Sequence, residues 1–315
     1  MSASRLDQIR GACAEVAKRA RSVALEPGTL SALARDLGSA PAPPGLDPAH
    51  HHLADDESTL AYVLTLDAIN FGSGWFPCLR KRPGLSGYFT VATSLREHFE
   101  AHGPWDARAL GSLTAADCAR VLGQDPDDAE AGELMALFAR ALADLGRFLA
   151  DRFDGRFAGP VEAAAGSAEA LAMILADMTL YRDVSRYDEL EVPFYKRAQL
   201  TAADLAAAFG GQGFGAFRDL HRLTLFADNL VPHVLRRSGV LVYAESLASR
   251  IDAGTLLVAG SPEEVEIRAV AVHAVEQLSE RTGASPQEID YLLWHRGQRP
   301  DMKAHPRHRA RTPYY

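Results

Sequence analysis

The feature of this sequence that most restricts its fold is a repeated signal for the start of a helix. A Ser or Thr that can cap a helix recurs with an acidic residue or a proline at the required spacing, at Thr114–Asp117, Thr201–Asp204, Ser261-Pro262 and Ser285-Pro286. Long amphipathic segments accompany these signals, at 132–153 and 161–181. We therefore predict a mainly α-helical fold, in which the repeated TAAD tetrapeptide caps a helix in both places and does not mark a duplicated domain.

Strand signals are few. The segment around Tyr88 predicts a short strand or hairpin, and EVPFYKR and VLVY (Val240 to Tyr243) are further candidates. Amphipathic helices are predicted at 6–24 and 29–37. The prediction is one compact domain over 1–315, with N-terminal helices in 1–40, a Pro- and Gly-rich connector at 38–48, a catalytic stretch at 191–236 and a C-terminal strap at 295–315.

Charge and cysteine content exclude several classes of function. The formal net charge of −8 argues against a general affinity for nucleic acid, because phosphate neutralisation needs a basic surface. The three cysteines lie far apart without a CxxC pair, which predicts neither a disulfide framework nor a zinc site. The three histidines at 50–52 are adjacent, and consecutive side chains point in different directions, so we expect no metal there.

The N-terminus carries charges of both signs and lacks the apolar core of a signal peptide. No run of the sequence approaches the length of a membrane span. We therefore expect a cytoplasmic protein that does not associate with membranes, and a monomer is the favoured state. No cofactor is expected.

Two charged residues stand out within the stretch 191–236. Lys196 follows Val192, Pro193 and Phe194, and Asp228 interrupts an apolar run just ahead of Pro232. Fully buried Lys and Asp are rare unless they are paired, because desolvation of each ion costs several kcal/mol. If the two side chains meet, the pair suits acid–base or charge-stabilising chemistry. The alternative is a structural salt bridge, and the residues alone leave both interpretations open.

A second group of candidate site residues lies in the segment LTLDAINFGSGW. Asp67 and Asn70 are one helical turn apart, and Phe71 and Trp75 follow on a Gly-rich turn. A carboxylate and an amide beside aromatic rings can stack on and read a planar heterocycle. A helix end with aromatic residues in the core is the simpler alternative.

The C-terminal strap departs from the acidic average of the chain. Its run of basic residues and histidines contains three prolines and ends in two tyrosines. A disordered basic tail is one interpretation. The prolines stiffen the segment and aromatic residues are seldom left in solvent, which favours a strap laid over the body.

Long motifs that occur in one order along the chain carry a resemblance to a known family: LTLDAINFGSGW, LSGYFTVATSL, LYRDV, VPFYKRAQL, LTLFADNLVPHVL, EVEIRAVAVHAVE, IDYLLW and DMKAHPRHRARTPYY. Together they resemble the queuosine salvage protein family over residues 62–315. The resemblance implies a mainly helical fold similar to helix-hairpin-helix DNA glycosylases. It also implies hydrolysis of queuosine 5′-monophosphate, which releases the base queuine for salvage into tRNA modification.

The chemistry of this reaction agrees with the residues already singled out. Cleavage of an N-glycosidic bond passes through an oxocarbenium-like state at the ribose, which a nearby carboxylate stabilises. Asp228 matches the catalytic Asp of the family, and Lys196 matches a family Lys that is expected to keep Asp228 ionised. Asp67, Asn70, Phe71 and Trp75 match the family in the segment expected to hold the base, with altered spacing before the Trp. Tyr195 and Phe226 are further stacking candidates, and the candidates for the 5′-phosphate are Arg197, Arg268, His51, Arg311 and Tyr314.

The sequence departs from the family pattern near Asp228. Asn229 and Leu230 replace a Tyr-Arg pair, and His233 replaces a Gln. The loss of the Arg is expected either to weaken a contact with the phosphate or ribose or to alter only the protein surface. Two rival functions remain: a DNA or RNA glycosylase that acts on a flipped base, and a non-catalytic nucleotide-binding module. The net charge of −8 disfavours the first, and release of free base distinguishes the second.

Overall fold

A computed structural model describes residues 4–38, 45–125 and 127–315. Most of the predicted connector at 38–48 therefore lies outside the described residues, as do the first three residues and position 126. Within the described ranges the fold is mainly α-helical with a few short strands, as predicted. No helix there is both long enough and apolar enough to cross a membrane.

The helices follow one another along the chain with short connections, three of which contain single turns of 3₁₀ helix. The α-helices are α1 (Arg5–Arg19), α2 (Pro27–Leu37), α3 (Asp56–Ala68), α4 (Gly87–His102), α5 (Ala107–Ser112), α6 (Ala115–Leu122), α7 (Ala129–Phe153), α8 (Ala158–Ala163), α9 (Ala168–Leu175), α10 (Lys196–Ala208), α11 (Leu230–Arg237), α12 (Glu245–Asp252), α13 (Pro262–Thr282), α14 (Pro286–Gly297) and α15 (Pro300–Lys303).

Two small antiparallel sheets complete the described structure. Strand β1 (Val23–Leu25) pairs with β4 (Leu241–Tyr243), which confirms the strand predicted from VLVY. Strand β2 (Val184–Tyr187) pairs with β3 (Leu190–Pro193), so the first part of EVPFYKR is also a strand. The strand predicted around Tyr88 is wrong, because Ser86 caps α4 by accepting a hydrogen bond from the N–H of Phe89.

The predicted helix starts have mixed outcomes. Thr114 and Asp117 form a capping box, in which the Thr114 hydroxyl accepts from the Asp117 N–H at 3.2 Å and Asp117 accepts in return. Ser285 caps α14 in the same way, and Ser261 caps α13. The second TAAD is not a cap. It lies inside α10, where the Thr201 hydroxyl donates to the Arg197 carbonyl at 2.9 Å.

Two predicted helices are shorter than expected. The first ends at Arg19, and the chain then forms β1. The segment predicted as one helix at 161–181 is divided into α8, α9 and a 3₁₀ turn. Ala165 and Gly166 lie between α8 and α9 and have positive φ values of 50° and 72°. A right-handed helix cannot continue through this conformation.

The core is built around α13, which is buried along most of its length. This helix packs against α1, α2, α11 and α14. The long helix α7 presents its apolar face to α3, α5 and α6. Helix α10 packs on both α3 and α9, which places the first turn of α10 next to the end of α3. These contacts bring the segments that carry the candidate site residues together.

Candidate active site

A cavity lies where the turn after α3, the first turn of α4, helix α10, helix α14 and the C-terminal segment 304–315 meet. Of the predicted site residues, the structure brings these to the cavity wall: His51, Asn70, Phe71, Lys196, Phe226 and Asp228. They come from segments that are far apart in the sequence. The cavity is therefore the place where the two predicted clusters meet.

Asp228 stands just before α11 and is fixed by the start of that helix. Its Oδ1 accepts hydrogen bonds from the N–H groups of Leu230 at 2.8 Å and Val231 at 3.1 Å. The first N–H groups of a helix have no partner within the helix, so a carboxylate at this position satisfies them and is held in one orientation. The second oxygen, Oδ2, makes no hydrogen bond to another described residue. It remains available to a ligand in the cavity.

Lys196 begins α10 and is only 5% exposed. Its Nζ donates to the Asn70 carbonyl at 3.3 Å, which ties the two predicted clusters together. Burial lowers the pKa of Lys196, and the negative charges of Asp228 and Asp67 oppose that shift. The described residues show no direct ion pair between Lys196 and Asp228; the two groups face one cavity and interact across it.

Asp290 is a site residue that the sequence analysis did not select. It lies on α14, is 5% exposed, and accepts a hydrogen bond from the Phe226 N–H at 3.2 Å through Oδ1. Burial, followed by the negative charge of Asp228, raises the pKa of Asp290 well above its usual range. Asp290 interrupts the apolar run IDYLLW in the same way that Asp228 interrupts its own run, and that signal could have identified it.

Asp204 is a second carboxylate that the sequence analysis missed. Lys196, Leu200 and Asp204 are spaced four residues apart on α10 and all line the cavity. Tyr291 donates its hydroxyl hydrogen to Asp204 Oδ1 at 2.7 Å. Burial raises the pKa of Asp204 to about 6, while the Tyr291 hydrogen bond and Lys196 oppose the shift. Interpreting TAAD as a helix cap concealed this residue, because a capping Asp faces the helix end and not a cavity.

Asp67 lies behind the cavity wall and does not line it. It is fully buried, and its Oδ1 accepts a hydrogen bond from the Asn70 side chain at 3.3 Å. Burial, followed by the negative charge of Asp204, raises the pKa of Asp67 well above its usual range. In this position Asp67 orients Asn70, which does reach the cavity, while its own carboxylate stays off the cavity wall.

An aromatic wall, which we define as His51, Tyr88, Phe89 and Trp294, lines another part of the cavity. Tyr88 and Phe89 each lie edge-on to Trp294 with ring centroids 5.8 Å apart. The His51 Nε2 is 2.9 Å from the Tyr88 hydroxyl oxygen, and burial lowers the pKa of His51. Rings held at fixed angles provide a rigid surface for a planar ligand. Only His51 of this set was predicted, and it was assigned to a phosphate.

The adjacent histidines at 50–52 diverge, as expected from their spacing. His50 contacts the Thr93 hydroxyl at 2.9 Å and His52 contacts the Ser58 hydroxyl at 2.8 Å, while His51 turns to the cavity. Within the described ranges, no three His, Cys, Asp or Glu residues are grouped so as to hold a metal ion.

Arg197 and Arg268 have structural positions, in contrast to the predicted role on a phosphate. Arg197 is 1% exposed and donates to the carbonyl oxygens of Asp67, Ala68, Leu180 and Pro313. Its guanidinium also lies between the rings of Phe71 and Tyr181, at 4.8 and 4.5 Å. All of these partners belong to the protein, so the two terminal nitrogens of Arg197 hold α3, α10 and the C-terminal segment together, while its Nε is buried without a hydrogen-bond partner among the described residues.

Arg268 is engaged in the same way within the core. It forms a bidentate ion pair with Asp183 and donates to the Ala227 carbonyl at 2.9 Å. The rings of Phe194 and Tyr315 lie against it at 3.9 and 4.7 Å. The carbonyl that it holds belongs to the residue before Asp228, so Arg268 positions the catalytic candidate from behind.

The remaining predicted residues also lie outside the cavity wall. Trp75 donates its indole N–H to Glu133 at 2.7 Å and packs under Arg311, which pairs with Glu130 and Glu133. Tyr195 is the left-handed residue with φ of 47° that precedes α10, and Tyr314 is half-buried beside Arg197. None of these four residues lines the cavity.

The C-terminal segment 304–315 closes one side of the cavity with Arg307 and Tyr315. The Tyr315 hydroxyl donates to Glu264 at 2.8 Å, and its carbonyl accepts from the Gly72 N–H at 3.0 Å. Asn229 donates to the His308 carbonyl at 3.1 Å, and the His233 Nε2 lies 3.0 Å from the Met302 carbonyl. Two of the residues that depart from the family pattern therefore anchor this part of the chain.

The chain matches the family model described as queuosine salvage protein over residues 50–315. A protein of Sphaerobacter thermophilus is 40% identical over 277 residues, which is 84% of this chain and 84% of that protein. Relatives from Mus musculus and Bos taurus are 31% and 30% identical, each over 82% of this chain and over 83% and 82% of their own lengths. All three are named queuosine 5′-phosphate N-glycosylase/hydrolase. The match spans most of the described fold and the whole cavity except its first lining residues, and the chain belongs to the queuosine salvage protein family.

Proposed function

We propose that this protein hydrolyses the N-glycosidic bond of queuosine 5′-monophosphate and releases queuine and ribose 5-phosphate. The observation that carries the proposal is the joint presence, in one cavity, of the aromatic wall, the oriented carboxylate of Asp228 and the cation Arg307. A nucleoside 5′-monophosphate has a planar base, a sugar that becomes positively charged during cleavage and an anionic phosphate. The names of the relatives support this substrate.

Asp228 is the group we assign to the sugar. As the bond between the anomeric carbon and the base nitrogen breaks, its electron pair leaves with the base and positive charge develops on the ribose. The free Oδ2 of Asp228 stabilises that charge and accepts a proton from the attacking water. Because the helix start fixes Oδ1, the carboxylate does not reorganise during the reaction.

The leaving base needs a proton, and we assign this role to Asp290. Queuine is a deazaguanine, so it has carbon at the ring position where guanine has N7, and the proton must reach another basic atom of the ring. Burial beside Asp228 raises the pKa of Asp290 and favours its protonated, donating form. Two carboxylates with different surroundings can thus divide the work, one as a base and one as an acid.

We assign recognition of the base to the aromatic wall, the apolar side of the cavity. The aromatic wall offers ring faces and edges to a planar heterocycle, and Phe71 and Phe226 add to it. Asp204 and Asn70 supply acceptors for the N–H groups of a guanine-like edge or for the amine of queuine. We further propose that the chain works as one domain on a free nucleotide and not on nucleic acid, because its net charge is −8.

The direct test is incubation of the protein with queuosine 5′-monophosphate and, separately, with unphosphorylated queuosine. Free queuine is measured by chromatography. We expect release from the monophosphate, and release that is slower or absent from the nucleoside. Binding without release would favour the nucleotide-binding module, and salt-dependent binding to duplex DNA would favour the base glycosylase.

A further inference from the structure

The exposure of the lining residues shows where the cavity meets solvent. Among the described residues that line the cavity, Gly45 and Asp47 are exposed, whereas all the others are half-buried or buried. Leu46 stands between these two, is half-buried and packs against the core. A residue that is open to solvent on one side and lines a cavity on the other lies at its rim. We therefore define residues 45–49 as the mouth cover.

The hydrogen bonds of the mouth cover stay at its C-terminal end. The Asp47 carbonyl accepts from the N–H groups of His50 and His51 at 2.9 and 2.8 Å. The backbone N and O atoms of Asp47 also lie 3.1 and 2.9 Å from the Nδ1 atom of His51, and Asp47 Oδ1 accepts from the Ala49 N–H at 2.9 Å. Within the described ranges, the mouth cover makes no hydrogen bond outside this turn.

The end of the turn is fixed to the body of the protein. The Tyr62 hydroxyl of α3 donates to the His50 carbonyl at 3.2 Å, and the His51 Nε2 lies 2.9 Å from the Tyr88 hydroxyl oxygen of α4. At its other end, the mouth cover contacts the core through the apolar side chain of Leu46. A segment with one fixed end and few buried contacts at the other is of the kind that opens locally.

The C-terminal segment, which closes another side of the cavity, is held differently. Its backbone carbonyl groups at 309, 313 and 315 accept hydrogen bonds from Leu257, Arg197 and Gly72. These donors belong to three separate parts of the chain, so the C-terminal segment is fastened along its length. The contrast makes the mouth cover the part of the wall that opens at the lower cost.

We propose that the mouth cover is a gate through which ligands enter and leave the cavity, and that Leu46 holds it closed. The proposal rests on the proposed function only for the identity of the ligand. Opening exchanges the hydrogen bonds of an exposed turn for hydrogen bonds to water and uncovers one leucine, while the contacts between helices stay in place. The gate also precedes residue 50, where the match to the family model begins.

Three variants test the gate. Leu46→Ala weakens the contact that holds it closed. Leu200→Ala is the matched control, because Leu200 is also a half-buried leucine of the cavity wall but lies within α10. Gly45→Ala acts in the opposite direction, since the added Cβ would lie 3.6 Å from the Ala207 carbonyl oxygen, an ordinary contact, and alanine restricts the open chain.

The first test measures association and dissociation rates of queuine by stopped flow. Queuine is the product, so it binds without turnover, and Trp294 on the cavity wall contributes to the tryptophan fluorescence signal. We expect Leu46→Ala to raise both rates by roughly 3- to 10-fold, because a larger fraction of the protein is open. Gly45→Ala should lower both rates. Leu200→Ala should raise the dissociation rate alone, because it removes a wall contact and leaves the gate unchanged.

The second test needs no ligand. Ser73 lines the cavity and is 6% exposed, so Ser73→Cys places a thiol inside it. Alkylation of this thiol by iodoacetamide is followed by peptide mass spectrometry, and the half-buried Cys78 serves as an internal control for the fold. We expect Leu46→Ala to accelerate alkylation by roughly 3- to 10-fold and Gly45→Ala to slow it. Leu200→Ala should leave the rate within about twofold, and Cys78 should react equally in all variants.

The outcomes separate the gate from the proposed function. If Leu46→Ala behaves like Leu200→Ala, with faster dissociation of queuine only and unchanged alkylation, residues 45–49 are a fixed wall and the gate is overturned. Alkylation rates in the expected order support the gate whether or not queuine binds. In that case, failure to release queuine from queuosine 5′-monophosphate would overturn the proposed function alone.

Discussion

Among the described residues four aspartates line the cavity, and three of them, Asp204, Asp228 and Asp290, have clearly different partners. Asp228 accepts two N–H groups at the start of a helix, Asp204 accepts the Tyr291 hydroxyl, and Asp290 accepts one N–H beside Asp228. Burial is the largest cause of the raised pKa values of Asp204 and Asp290. Environments of this kind let chemically identical side chains act as base, acid and ligand contact.

The proposed role of Asp290 as an acid predicts a specific pH dependence. An acid must be protonated to act, so the rate should fall as pH rises through the raised pKa of Asp290. The amide oxygen of Asp290→Asn can still accept the hydrogen bond from the Phe226 N–H, but the variant has no carboxylic acid proton to donate to the leaving base. We expect kcat to drop by about 100-fold or more and the alkaline fall of the rate to disappear.

The pH profile of kcat in wild type and Asp290→Asn checks this prediction. An alkaline fall that persists unchanged in the variant would assign the proton to another group. A loss of kcat with no change of profile shape would reduce Asp290 to a residue that positions the Phe226 backbone.

At the scale of single residues, sequence patterns identified the charges that interrupt apolar runs but not all of them. Asp228 and Lys196 were selected on that basis and both line the cavity. Asp290 meets the same criterion and was overlooked. Arg197 and Arg268 are also charges within apolar sequence, yet their partners are backbone and core groups. Burial alone does not distinguish a charged side chain that is available to a ligand from one whose partners are all protein groups.

Among the elements, the contact between the turn at 72–76 and the C-terminal segment controls the shape of the cavity. A Cβ atom added to Gly74 would lie 2.3 Å from the Ala310 carbonyl oxygen and 2.9 Å from the Arg311 nitrogen. Both atoms are backbone, so they cannot move aside as a flexible side chain could. Only glycine permits this close approach, which sets the position of Arg307 and Tyr315 relative to Asn70.

Gly74→Ala should therefore displace the C-terminal segment. We expect a loss of stability of roughly 1–3 kcal/mol, the usual cost of overpacking, together with a rise in KM for the monophosphate. Thermal unfolding, limited proteolysis of the segment and steady-state kinetics measure the three effects. Gly11→Ala is the control, because nothing lies within 4 Å of the added atom and alanine favours the interior of α1.

A Gly74→Ala protein with wild-type stability and KM would show that the segment moves without consequence for the site. The same readings on Gly11→Ala should show stability equal to or greater than that of wild type.

Element types were predictable where local chemistry decides them. The capping boxes at Thr114 and Ser285 and the strand Leu241–Tyr243 follow from short-range spacing and propensity. The errors have tertiary causes. The aromatic residues at the start of α4 favour strands locally, but a Ser cap and packing in the aromatic wall place them on a helix. The second TAAD fell inside a helix because the left-handed Tyr195 starts that helix earlier.

On the scale of the whole molecule, the site depends on packing between distant segments. Helix α10 brings Lys196 to the end of α3, α14 brings Asp290 to Asp228, and the C-terminal segment brings Arg307 to the same cavity. The sequence predicted a mainly helical fold, and the family resemblance assigned the sugar to the segment with Lys196 and Asp228 and the base to the segment with Asp67 and Asn70. It could not show which faces of α10 and α14 point inward, because that depends on contacts between elements and not on spacing within one.

The central claim is that Asp228 carries out hydrolysis in a cavity that binds the nucleotide independently of it. The most direct measurement is single-turnover release of queuine from queuosine 5′-monophosphate by wild type and Asp228→Asn, with the Kd of each measured separately. The account predicts a fall in the rate of roughly 10²- to 10⁴-fold, the range for a positioned acid–base group, with Kd changed only slightly. A folded Asp228→Asn protein that releases queuine at the wild-type rate would contradict it.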